Sequence, residues 1–105
     1  MKIGLVIQSN DPETVWNAFR FANTSLTAKH NVKAFLLGKG VEVEQIKNDK
    51  FDVQSVIKTF LGKNGELRAC GTCLESRNTE SAVCSMSTMS NLLKIVEESD
   101  KVLVF

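Results

Sequence analysis

Two of the three cysteines stand together as Cys70-Gly71-Thr72-Cys73, where a short run, Leu67-Arg68-Ala69-Cys70, passes into residues that read as a short helix over 71–78. A sulfur placed at a strand end faces the backbone N–H groups of the helix start. Such donors favour the thiolate and can move a cysteine pKa from ~8.5 into the range of about 3.5–7.5. Cys70 is therefore a candidate nucleophile or sulfur carrier. Gly71 beside it lets the backbone turn sharply and keeps the approach open. Cys73, one helical turn on, falls on the same side, placed to resolve Cys70 or to receive a sulfur from it.

The same residues admit quieter readings. Free cysteine is among the most buried residue types, so the pair also reads as small hydrophobes packed at a strand–helix junction. Zinc is a third reading, with Cys84 and His30 completing four positions, but no second paired motif accompanies the first. A thioredoxin-like redox site would follow an early strand with a proline-bearing loop opposite, and the only proline is Pro12. Cys84, in a serine- and methionine-rich stretch, reads as a packing residue as readily as a functional one. His30 ends a helix, where a cation complements the dipole, so it reads as a cap rather than as a catalytic group.

Other charged and glycine-rich features are weaker. Gly38-Lys39-Gly40 has neither the P-loop nor the dinucleotide spacing, so no nucleotide cofactor is expected. It reads as a strand-end turn from which Lys39 can project to attract an anion. Arg77, about two turns beyond Cys70, reads as a solvated charge or as a group that helps hold a thiolate or persulfide. Trp16 borders an apolar stripe and reads as core or, if exposed, as a subunit contact.

The elements that position these residues follow from periodicity. Ile3-Gly4-Leu5-Val6-Ile7 is apolar throughout, as in a strand covered on both faces of a parallel sheet. Asp11-Pro12-Glu13 supplies a capping side chain, a proline at the first helical position and an acid in the first turn. Val15, Phe19, Ala22 and Leu26 then recur at helical spacing, which predicts a helix over 12–29. Val32 to Leu37 predicts a second strand, and 39–50 a polar loop with a brief Val41/Val43 alternation. Val53, Val56, Ile57, Phe60 and Leu61 predict a helix that ends at Gly62-Lys63-Asn64-Gly65. The stretch from Ser81 to Ser90 reads as a loop running into a helix whose buried face is Met89, Leu92, Leu93 and Val96. Residues 102–105 predict a last strand. Strands alternating with helices indicate a three-layer α/β/α sandwich with a mainly parallel sheet of about five strands, of the flavodoxin/Rossmann-like kind. In such a sheet the loops after Ile7, Leu37 and Cys70 share the carboxyl rim, where ligands bind.

With 105 residues, 43% hydrophobic and 24% charged, the chain is predicted to fold as a single domain, residues 1–105. Thirteen basic against twelve acidic residues leave a formal charge of +1 and no bulk attraction to nucleic acid or anionic membrane. No signal segment or bilayer-length apolar stretch is evident, which places the protein in the cytoplasm, where thiols stay reduced.

Lys2-Ile3-Gly4-Leu5-Val6-Ile7, Phe35-Leu36-Leu37-Gly38-Lys39-Gly40-Val41, the run from Gly65 to Cys70 and the closing Asp100-Lys101-Val102-Leu103-Val104-Phe105 resemble the DsrE/DsrF-like family of small sulfur-relay proteins, which includes Tus and YchN-like members. The resemblance spans nearly the whole chain in element order. It implies the α/β/α fold, association as trimers or hexamers, and a persulfide carried on the cysteine at this strand end between donor and acceptor proteins. By position that cysteine is Cys70. Arg77 matches the arginine of the arginine-glycine pair that commonly follows, with Asn78 in place of the glycine; asparagine tolerates the left-handed backbone such a turn uses. Cys73 is no part of the relay pattern and would make this chain a two-thiol variant. Together these point to a sulfur carrier without cofactor. The alternative is an oligomeric binding or scaffolding module whose cysteines only pack and whose rim holds an anion or small ligand.

Overall fold

A computed structural model describes residues 1–79, 81 and 85–105. Five strands form one sheet in the order β4-β3-β2-β1-β5, with every neighbouring pair parallel. They are β1 (Lys2–Ile7), β2 (Asn31–Leu36), β3 (Glu66–Cys70), β4 (Ser85–Ser87) and β5 (Lys101–Val104). Four α-helices connect them: α1 (Pro12–Thr27), α2 (Val53–Gly62), α3 (Gly71–Ser76) and α4 (Met89–Glu98).

The pleat divides the sheet into two unlike faces. Ile3, Leu5 and Ile7 alternate with Gly4 and Val6, and the parallel register aligns the first set with Val32, Ala34 and Leu36 and then with Leu67 and Ala69. That side is wholly apolar. It packs against α1 and α2 through Val15, Ala18, Phe19, Ala22, Ile57 and Phe60, with the Phe19 and Phe60 rings edge to face at 5.4 Å. The opposite side is shared between apolar Val6 and Phe35 and charged Lys33, Glu66 and Arg68. Glu66 forms ion pairs with both cations, at 3.9 Å from Lys33 Nζ and 3.5 Å from Arg68 Nε. Among the described helices α4 covers it, with Ile95 buried.

The helix ends follow the expected chemistry. Asp11 accepts from the Thr14 N–H at 3.0 Å ahead of Pro12, Asp52 caps α2 through Ser55, and Thr88 caps α4 through Asn91. After α1, α2 and α3 the chain turns through left-handed Lys29, Asn64 and Asn78. Asn78 has φ 47°, a left-handed conformation that asparagine tolerates.

Three expectations are corrected. The presumed polar loop 39–50 contains a 3-10 helix, Gly38–Gln45, whose Val41 and Val43 enter the core. The serine-rich stretch expected as a loop supplies β4, a three-residue edge strand with almost no propensity signal that exists because β3 offers an open ladder. In α4 the apolar residues do not form one buried face: Ile95 is buried and Leu92 partly so, while Met89, Leu93 and Val96 are 58%, 58% and 42% exposed. Apolar periodicity cannot tell which stripe a helix turns inward when its outward stripe is apolar too.

Candidate functional site

Each parallel strand delivers its last residues to one rim. Leu37 N donates to Ile7 O at 3.0 Å and Gln8 N to Phe105 O at 2.8 Å, so the loops after β1 and β2 and the end of β5 are tied together there. Cys70 is the final residue of β3 and the N-cap of α3; its side chain packs in the core cluster and is 4% exposed. Cys73 lies one turn into α3 and is half-buried. Its Sγ accepts a hydrogen bond from the Gly38 N–H at 3.3 Å. Gly38 opens the 3-10 helix with φ +56°, a conformation that turns its amide over the rim at little cost only for glycine.

Cys70 and Cys73 line the same cavity, of about 720 Å³ and open to solvent, together with Gly71, Thr72, Ser87 and Asn91. β4 forms its far wall, since Ser87 is the register partner of Cys70. Ser87 is buried, and Asn91 Nδ2 donates to its hydroxyl at 2.7 Å, joining the start of α4 to the wall. A Cβ on Gly71 would lie 3.4 Å from the Ser87 carbonyl, in ordinary van der Waals contact with β4. Exposed Met86 and Met89 flank the mouth, and Glu75 is the charged residue of the lining.

The residues singled out in the sequence are thus divided. Cys70, Gly71 and Cys73 come together. Lys39 is exposed on the 3-10 helix and Arg77 caps α3, and neither lines the cavity. Arg77 Nε pairs at 4.0 Å with Glu42, which also accepts from Asn10 at 3.1 Å, so Arg77 ties α3 to the 3-10 helix. His30 precedes β2 and Cys70 ends β3, so they lie at opposite ends of the parallel strands, a strand length of roughly 17–20 Å apart. They cannot share a zinc ion. Cys84 lies outside the described residues. Among the described residues no group of three or more metal-ligating side chains converges. Ser87, Asn91, Met86 and the Gly38 amide join the site without any sequence signal; only recognition of β4 would have found the first three.

A second cavity, at the amino ends of the strands, is lined by residues that include Lys2, Lys29, His30 and Lys63. It meets the C-terminal ends of α1, α2 and α4, whose carbonyl ends favour cations, so these lysines have a structural reason to be there.

The all-parallel five-stranded sheet with thiols at its carboxyl rim defines the class of protein: the chain belongs to the DsrE/DsrF-like family, which it matches over residues 1–105. Its fold is shared with the YchN protein of E. coli, at a TM-score of 0.89 and 21% identity, covering 100% of this chain and 99% of that one. A conserved protein of unknown function from Bacteroides thetaiotaomicron, BT1422, superposes with a TM-score of 0.80 at 22% identity, over 99% and 94% of the two chains. Curated relatives include the uncharacterized proteins MJ0989 of Methanocaldococcus jannaschii, 29% identical over 89% of this chain and 88% of the relative, and MK0008 of Methanopyrus kandleri, 30% identical over 89% and 83%. Among the described residues no helix is long and apolar enough to cross a membrane.

Proposed function

We propose that the protein carries sulfane sulfur as a persulfide on Cys70, taking it from a donor protein and passing it to an acceptor. The observation that carries this reading is the placement of Cys70, with Cys73 beside it, in an open cavity at the carboxyl rim of a parallel sheet. Membership of a family that includes sulfur-relay proteins supports it. The chemistry is covalent carriage: the Cys70 thiolate attacks a sulfane sulfur, and the donor's thiol leaves with the electron pair. Gly71 keeps the approach open. Lys39 and Arg77, beside the cavity but outside its lining, serve in this reading to hold the rim and to meet an anionic surface of a partner. The protein acts in the cytoplasm, where Cys70 and Cys73 remain thiols.

We further propose that it works as a homo-oligomer, a trimer or a pair of trimers. The exposed apolar residues of α4 and of the edge strand β5, where Val102, Leu103 and Val104 all lie open, support this.

The test is mass spectrometry under non-reducing conditions after exposure to polysulfide or a cysteine desulfurase system. Cys73→Ser is expected to gain one sulfur atom on the Cys70 peptide, labile to reductant, wild type to gain the same atom at early times, and Cys70→Ser to gain none there. Full loading of Cys70→Ser would sink the assignment. The burial of Cys70 favours one competing reading, a binding module with packing cysteines. Thiols that react with an alkylating agent only after denaturation would establish that reading instead.

A further inference from the structure

We infer that Cys73 is a resolving thiol, which ends the persulfide on Cys70 by displacing hydrosulfide and leaving a Cys70–Cys73 disulfide. The inference rests on the proposed loading of Cys70 and adds to it a fate for the sulfur within this chain.

Cys70 occupies the N-cap of α3 in extended conformation, at φ −65° and ψ 117°, and Cys73 is the third residue of the helix. Residues three apart on a helix have Cβ atoms about 5–6 Å apart, and a disulfide needs roughly 3.5–4.5 Å. A small swing of one side chain closes that gap. Cys73 is the one able to make it, being half-buried and held at its sulfur by the single Gly38 N–H. Cys70 packs in the core and, like Cys73, lines the cavity. The other described polar side chains of the cavity, Thr72, Ser87, Thr88, Ser90, Asn91 and Glu75, include no second soft nucleophile. An outer sulfur on Cys70 thus stands within a helical turn of a thiol at high effective concentration.

The step balances without an added oxidant. The Cys73 thiolate attacks Cys70 Sγ, a bond forms between the two cysteine sulfurs, and the bond from Cys70 Sγ to the outer sulfur breaks. That sulfur leaves with the electron pair as hydrosulfide, and the proton lost by Cys73 goes to solvent. The two cysteines are oxidised by two electrons and the sulfane sulfur is reduced by two. Return to the dithiol needs an external dithiol reductant, which takes up the disulfide by exchange. A protein acceptor then receives sulfur only if it engages Cys70 before Cys73 closes.

The experiment loads wild type, Cys73→Ser and Cys73→Ala with inorganic polysulfide, removes the excess on a desalting column, and follows hydrosulfide release and the non-reduced peptides with time. Thermal melts matched to wild type show which variants are folded, and either serves. The expected result is release from wild type faster by on the order of ten-fold or more than from the variants. Wild type should yield a Cys70–Cys73 disulfide, the variants a lasting persulfide on Cys70, and dithiothreitol should restore wild type for a second round. Equal persulfide lifetimes in wild type and variants, with no disulfide, would overturn the inference and leave the carrier reading standing. A disulfide joining Cys70 to Cys84 would overturn it as well. Failure of every protein to load Cys70 would remove both.

Discussion

Gly38 and Gly40 lie two residues apart in the 3-10 helix that meets Cys73, yet they are required for different reasons. Gly38 has φ +56° and nothing within 4 Å of where a Cβ would stand, so Gly38→Ala bears only the left-handed backbone cost of roughly 1–2 kcal/mol. At Gly40 a Cβ would run into the Ile7 carbonyl oxygen, and the chain must lift off the end of β1. Gly40→Ala is expected to destabilise at least as much, by about 1–3 kcal/mol, and also to raise the alkylation rate of Cys73 by freeing its sulfur from the Gly38 amide. Denaturant melts and thiol alkylation of the two variants check this, and a smaller loss for Gly40→Ala than for Gly38→Ala would contradict it. At this scale much of the site was legible. Cys70, Gly71 and Cys73 announce themselves by type and spacing. Ser87 and Asn91 do not, because a buried serine and an asparagine near a helix start look like ordinary surface residues until β4 places them beside Cys70.

Among the elements, α1 was the most readable because local chemistry and apolar period agree. Its cap gives a pH dependence of known sign. The Thr14 backbone N–H, then the Thr14 hydroxyl, donate to the Asp11 carboxylate and hold its pKa below the ordinary value. The stability this adds is fully present above the unfolded carboxylate's pKa and is lost as pH falls through the lowered native one. Asp11→Ala is therefore expected to melt below wild type at neutral pH, with the gap closing only in strong acid; a gap unchanged down to that range would refute the assignment. In α4, the inward stripe is Ile95 and Leu92, while Met89, Leu93 and Val96 face out. Two apolar stripes on one short helix cannot be ranked without the sheet. The same limit hid the 3-10 helix, whose alternating Val41 and Val43 resemble a strand fragment and whose burial depends on α2, α3 and the strand ends around it.

The described helices are divided unevenly, with α1 and α2 on one face of the sheet and α4 on the other. Asn91, Lys94 and Glu98 turn from α4 toward Lys33, Glu66 and Arg68, so Leu93 and Val96 lie on the flank nearer β5, whose Val104 is 62% exposed. Light scattering coupled to gel filtration is expected to give an oligomer for wild type and a smaller species for Leu93→Glu combined with Val96→Glu, with each chain's far-UV circular dichroism unchanged. A wild-type monomer would refute the association. The sequence by itself determined the alternation of strands and helices, the parallel sheet and the strand-end position of Cys70, because burial on both faces, capping chemistry and helical period are written locally along the chain. Tertiary structure alone decided that Ser85–Ser87 becomes a strand, that Gly38 reaches Cys73, that Arg77 turns to Glu42, and that half of α4's apolar surface stays open. Each of these depends on a partner distant in sequence, whose position exists only once the sheet has closed.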